Sequence, residues 1–146
     1  MKKCICLALV LITLLSCLTA CNFTQTMSGA LAGEAESASK VDEMMKALAE
    51  NRTTDAKSLM HPQVAEKADA AIIQMSTYLA GREASDLKLT GINVQTSAST
   101  SGKTRQEQTT YQVTLTDGAV IYLNVVYLSN NAGVGFTSFQ LVLGVV

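Results

Sequence analysis

Tyr111-Gln112-Val113-Thr114-Leu115-Thr116-Asp117-Gly118-Ala119-Val120-Ile121-Tyr122-Leu123-Asn124 is a pair of alternating apolar and polar runs on either side of an Asp-Gly dipeptide. Alternation with period two marks strands, and Asp-Gly tolerates positive φ at both positions, so the pair predicts a two-residue hairpin turn. Such a turn sets Leu115 opposite Val120, Val113 opposite Tyr122 and Tyr111 opposite Asn124, six residues on one side of a sheet. Thr114, Gln112 and Thr110 take the other side.

Working outward, Leu87 to Thr96, Thr104 to Thr116, Ala119 to Ser129 and Val134 to Val146 are rich in Val, Thr, Tyr, Leu and Ile and are separated by Gly- or Asn-bearing segments. They predict four antiparallel strands. Leu87 and Leu89 have one parity and Ile92 and Val94 the other, which places a bulge or twist at Gly91. Ser97 to Lys103 is expected to be a mobile loop. A four-residue loop at Asn130 to Gly133 sets Phe139 beside Asn124, Leu141 beside Tyr122 and Leu143 beside Val120, continuing the apolar side.

That register leaves two features to explain. Asn124 falls mid-strand on the expected core face, where an unpaired amide costs about 1–3 kcal/mol. Either it bonds to Tyr111, or Tyr78, Tyr111, Tyr122, Asn124 and Phe139 line a pocket between sheet and helices. On the opposite face Ile121, Leu123, Val125, Tyr127, Phe136 and Val142 form an apolar ridge that needs a cover: the amino-terminal segment, a homodimer, or another envelope protein.

The half before the strands is helical. Ser39 and Asp42 have capping-box spacing, and Val41, Met44, Met45 and Leu48 make a buried stripe at helical period. Asn51 to Thr54 breaks this helix, and a short second one carries Ala56, Leu59 and Met60. Pro62, the only proline, suits the first turn of a third helix of about 18 residues ending at Gly81. His61, the only histidine, sits at the junction in a capping or surface role. Helices followed by a meander predict an α+β domain with two or three N-terminal helices packed on a four-stranded antiparallel sheet.

The amino terminus states an address. Lys2 and Lys3 precede an apolar run, Ile5 to Leu15, too short for a comfortable membrane span but suited to a signal peptide. Leu18-Thr19-Ala20-Cys21 resembles the lipobox of bacterial lipoproteins. The resemblance implies cleavage after Ala20, a diacylglyceryl group on Cys21 and a further acyl chain, such as palmitate, on its amino group. Two or three chains anchor a protein stably where one does not. The expected organisation is a signal peptide at 1–20, a lipidated Cys21 with a flexible tether to residue 38, and one domain at 39–146. Met27 to Ala35 could alternatively form a short surface helix. Such a protein is lipid-anchored at the extracytoplasmic face of the cell membrane, or at the outer membrane of a Gram-negative cell.

Losing Lys2 and Lys3 takes the formal charge from −1 to about −3, with no basic patch for nucleic acid. Cys4, Cys6 and Cys17 leave with the signal peptide, so packing alone must hold the mature fold. There is no G-x-S-x-G, no H-E-x-x-H, no phosphate loop and no metal-ligand cluster, and therefore no cofactor is expected. Glu107, with Arg105 beside it on the inner parity of the second strand, is the remaining candidate for a general base. A rim salt pair is the simpler reading.

The lipobox, the helix Val41 to Leu48 followed by Asp55 to Pro62, and the terminal meander together resemble the nuclear-transport-factor-2-like, or cystatin-like, cone. That likeness covers nearly all of residues 39 to 146 and implies a cone-shaped α+β domain. Its enzymes place an Asp, His or Tyr inside the cone, whereas the last two strands here offer no mid-strand carboxylate. The expectation is a non-catalytic interaction module of the cell envelope. The alternatives are a lipoprotein that takes a small apolar ligand into the cone, and a cryptic enzyme of the same fold.

Overall fold

The computed structural model describes Thr24–Gln25 and residues 35–144. In chain order the elements are β1 (Thr24–Gln25), α1 (Ala38–Ala49), α2 (Thr53–Ser58), α3 (Pro62–Ala65), α4 (Asp69–Leu79), β2 (Ala84–Ser99), β3 (Gly102–Leu115), β4 (Val120–Asn130) and β5 (Gly133–Leu143). Helices followed by an antiparallel meander make an α+β architecture. The sheet order is β1-β2-β3-β4-β5, with β1 a two-residue addition to the β2 edge opposite Val94 and Gln95. Cys21, the expected signal peptide and the expected tether, apart from Thr24–Gln25 and residues 35–38, lie outside the described residues.

The helices form one layer on the sheet. Val41, Met44, Met45 and Leu48 of α1 are all buried, as their spacing requires, together with Ala71, Ile72, Met75 and Leu79 of α4. α1 ends in a Schellman motif: Asn51 takes φ +57°, its N–H donates to Leu48 O at 3.2 Å, and Arg52 N–H reaches back to Ala47 O at 2.7 Å. The expected 18-residue helix after Pro62 is instead two, α3 and α4, interrupted at Glu66 to Ala68. Nor does Ser39 cap α1. The N-cap is Ser37, which makes no cap bond with its own side chain; the cap comes from the sheet.

The hairpin turn is one residue longer than Asp-Gly alone suggests. Gly118 has φ +84° while Asp117 keeps negative φ, so the loop is Thr116-Asp117-Gly118, with Gly118 N–H donating to Leu115 O at 2.9 Å and Leu115 N–H to Ala119 O at 2.8 Å. This is the three-residue loop with a glycine bulge. Asp117 Oδ1 accepts from Ala119 N–H at 3.0 Å and Oδ2 faces Arg82 at 3.4 Å. The backbone bond, ahead of Arg82, holds the Asp117 carboxyl below the usual carboxylate range.

One extra loop residue turns over the whole of β4. Val113 lies opposite Ile121 and Tyr111 opposite Leu123, so Ile121, Leu123, Val125 and Tyr127 share the inner face with Tyr111, Val113 and Leu115. Beyond the β4–β5 turn, where Asn130 faces Gly133, a bulge at Thr137 shifts the register again. Phe136 and Phe139 therefore point the same way, and Tyr127, Phe136 and Phe139 stack edge to face with centroids 5.1 and 5.5 Å apart. In β2 the irregularity between Leu89 and Gly91 brings Leu87, Leu89, Ile92 and Val94 onto one face, as their parity switch implies. Ser97 to Lys103 is no loop: β2 and β3 run on to a tight turn between Ser99 and Gly102.

Candidate functional site

The turnover of β4 redistributes the expected site residues. Of the expected pocket, Tyr111 and Phe139 are buried in the helix-facing core, Tyr78 is half-buried beneath the Arg82 guanidinium, and Tyr122 and Asn124 stand on the other side of the sheet. These five therefore line no common cavity. Of the expected ridge, Ile121, Leu123, Val125, Tyr127 and Phe136 are core, and only Val142 is exposed. The apolar ridge needs no external cover because the helices already provide it.

Two polar arrangements remain to be built from their residues. The first is inside. Glu107, on β3, is 1 % exposed. Its carboxylate accepts from Ser37 N–H and Glu36 N–H, each at 3.2 Å, and from the Ser37 hydroxyl. Arg105 lies 3.4 Å from Glu107 Oε2 and 3.8 Å from Glu36. The first turn of a helix exposes N–H groups that nothing within the helix can satisfy, and an anion there also meets the positive end of the helix dipole. Glu107 thus caps α1 from the neighbouring layer. The Tyr111 hydroxyl is turned toward those of Ser37 and Thr109 without a bond of good geometry; burial, more than those neighbours offset, pushes its pKa up. Burial likewise raises Tyr127, against the opposing pull of Lys40. With its oxygens taken up by α1, the Glu107 carboxylate presents no open position to a substrate.

His61 is also fully buried, and also ties layers together. Its Nδ1 accepts from Gln63 N–H at 3.2 Å, capping α3, so the ring proton is on Nε2, which faces Asn130 Oδ1 at 3.1 Å and Gly133 O at 3.2 Å. His61 N–H donates to Phe136 O at 2.8 Å, and Phe136 N–H to Leu59 O at 3.0 Å. Of the capping or surface role expected of His61, it takes the capping one, and its burial rules out the surface one. Among the described residues no group of three or more His, Cys, Asp or Glu could hold a metal ion, and no helix is long and apolar enough to cross a membrane.

The second arrangement is the outer face of the sheet. Reading across the strands from β2 to β5, one row is Gly91, Thr110, Asn124, Gln140; the next is Asn93, Gln108, Val126, Ser138; a third is Lys88, Gln112, Tyr122, Val142. The first two rows line a groove of about 440 Å³. Thr110 Oγ1 donates to Asn124 Oδ1 at 3.1 Å, and Asn93 Oδ1 is shielded at the groove's side without a hydrogen-bond partner among the described residues. From β3, the outward residues are Thr104, Gln106, Gln108, Thr110, Gln112 and Thr114, and the outward residues they face on β4 and β5 are likewise uncharged. Lys88, in the third row, and Asp86, opposite Thr114, are the charged outward residues of β2.

Charge is concentrated on the other layer. Lys40–Glu43, Arg52–Glu50, Arg52–Asp55 and Lys57–Asp69 are ion pairs on the helices. Solvated sheet faces ordinarily mix charges of both signs for solubility; over β3 to β5 this one carries amides, hydroxyls, the aliphatic Val120, Val126, Leu128 and Val142, and a tyrosine that is 37 % exposed. The Thr/Gln character of β3's outward side is legible in the sequence. What joins it, Asn124 and Tyr122, is not, because the two-residue turn puts both on the wrong side. Compared with family models, curated proteins and solved structures, the chain matches none.

Proposed function

We propose that this protein is a lipid-anchored, extracytoplasmic binding module of the cell envelope, without catalytic activity, whose working surface is the outer face of β2 to β5. The observation that carries this reading is the segregation of charge: helices laced with ion pairs, and a sheet face that is neutral across three strands. A surface free of charge over β3 to β5 but rich in donors and acceptors suits recognition. The order of helices and meander supports placing the domain with the nuclear-transport-factor-2-like cones, and the Leu18 to Cys21 lipobox supports a membrane anchor at Cys21.

The anchor is tested by labelling cells with an alkyne palmitate: wild type takes up label and pellets with membranes, while Cys21→Ser does neither. The surface is tested by placing a photo-crosslinking amino acid at Gln108 or Asn124, with Glu43 on α1 as the control. Adducts at the two sheet positions and none at Glu43 are expected. Adducts at Glu43 alone would refute the assignment of the surface.

A further inference from the structure

Resting on that assignment of the surface, we infer that the groove over β3 and β4 takes a neutral oligosaccharide. Beside Val126, its outward side chains, Asn93, Gln108, Thr110, Asn124, Ser138 and Gln140, are amides and hydroxyls, groups that both donate and accept. Sugar hydroxyls do the same, so each contact can be reciprocal and none leaves a charge to desolvate. The Thr110 to Asn124 Oδ1 bond takes one of that oxygen's two acceptor sites, leaving the other and both Nδ2 hydrogens for a ligand. Tyr122, exposed and two residues along the same strand face, supplies an aromatic plane with a polar tip beside the groove, the kind of surface on which the C–H face of a pyranose rests. At about 440 Å³ the groove falls in the range of small-ligand sites.

The same geometry disfavours a peptide. β3 and β4 are paired on both sides, so their backbone N–H and C=O groups are committed to the ladder, and an extended chain can add only at a sheet edge. A charged glycan is disfavoured because no cation lines the groove.

The test uses the full chain, purified in mild detergent and labelled with ¹⁵N, titrated with N-acetylglucosamine, glucose and maltose-type tetrasaccharides to about 10 mM while side-chain amide signals are followed. The expected result is saturable shifts of the Gln108, Asn124 and Gln140 amide groups with at least one sugar, unchanged in ~0.5 M salt because nothing charged is involved. Gln108→Val and Asn124→Val, both suited to a strand, should each weaken binding about tenfold with circular dichroism unaltered. Absence of shifts with all these sugars, or shifts that survive both substitutions, would overturn the inference. Protein adducts at the Asn124 crosslinker together with sugar-silent amides would overturn the sugar while leaving the surface assignment standing; no adducts and no shifts would end both.

Discussion

Replacing Glu107 by alanine should cost about 3 kcal/mol of folding stability. Four donors converge on this carboxylate, namely Ser37 N–H, Glu36 N–H, the Ser37 hydroxyl and the Arg105 guanidinium, and Ser37 is fully buried. Loss of a helix cap alone costs about 0.5–2 kcal/mol. A buried donor left without an acceptor adds about 1–3 kcal/mol, and the Ser37 N–H has no water to turn to. Against this, alanine removes the cost of keeping a carboxylate out of water, which holds the sum near the middle of the range. For a domain whose total stability is about 5–15 kcal/mol, the change is large. In urea unfolding at neutral pH, followed by far-UV circular dichroism, the midpoint should fall by about 1.5–2 M with unchanged slope. Glu107→Gln should recover part of the loss, since one acceptor oxygen remains, and Ser37→Ala should cost about 1 kcal/mol by removing the hydroxyl bond while sparing the N–H. Because Ser37 and Glu107 share a bond, the double variant should lose less than the two single losses combined. A Glu107→Ala variant within about 0.5 kcal/mol of wild type would refute the cap.

The register is tested by a pair of neighbours. Leu123→Asp places a charge in a site with 0 % exposure and should cost more than about 4 kcal/mol, leaving the domain unfolded by circular dichroism, while Asn124→Asp, one residue along on the open face, should cost about 1 kcal/mol or less. Equal damage from both would contradict the assigned faces. Gly135→Ala should cost about 2–4 kcal/mol in the same unfolding assay, because a β-carbon there would sit 2.5 Å from His61 N and 2.6 Å from Met60 C, backbone atoms that cannot swing aside. A wild-type midpoint for this variant would argue against the close docking of the α2–α3 junction on β5. Burial raises the pKa of both Tyr111 and Tyr127 above the free value of 10.0, so the native state holds these protons more tightly than the unfolded chain. Their contribution is complete below about pH 10 and is lost as pH rises through the folded values, so the melting temperature should fall above pH 10, and less steeply in Tyr111→Phe.

How much of this was legible in the sequence varies with the kind of signal. Helical stripes survive errors of one or two residues at their ends, so the buried set of α1 could be read directly from Val41, Met44, Met45 and Leu48 although Ser39 proved not to be its cap. Strand faces do not tolerate such errors. Asp117-Gly118 located the turn, but whether Thr116 belongs to the loop depends on Asp117 taking negative φ, and either backbone form suits the same dipeptide. The signal that could have decided it was Asn124, whose misfit on the expected core face, set beside a continuous Ile121, Leu123, Val125, Tyr127 series on the other, is what a slip of one residue produces. The bulge at Thr137 had no comparable mark. The Glu107 cap joins residues 70 apart in sequence, and nothing local to either announces it.

The two faces of β3 show why function on this domain is separable from stability. Along one strand Glu107, Thr109 and Tyr111 point to the helices while Gln108, Thr110 and Gln112 point to the open side. The inward set is held in place by what it packs against or caps, and each member is costly to change. The outward set contributes little to the fold beyond strand propensity, since none of its side chains fills the core. Stability alone would be served there by residues such as lysine and glutamate, which also keep a sheet face soluble. Thr, Gln and Asn repeated across β3 and β4 are therefore a choice that folding does not impose, and Gln108→Val and Asn124→Val are the substitutions that should leave the melting curve in place while weakening the proposed sugar binding about tenfold.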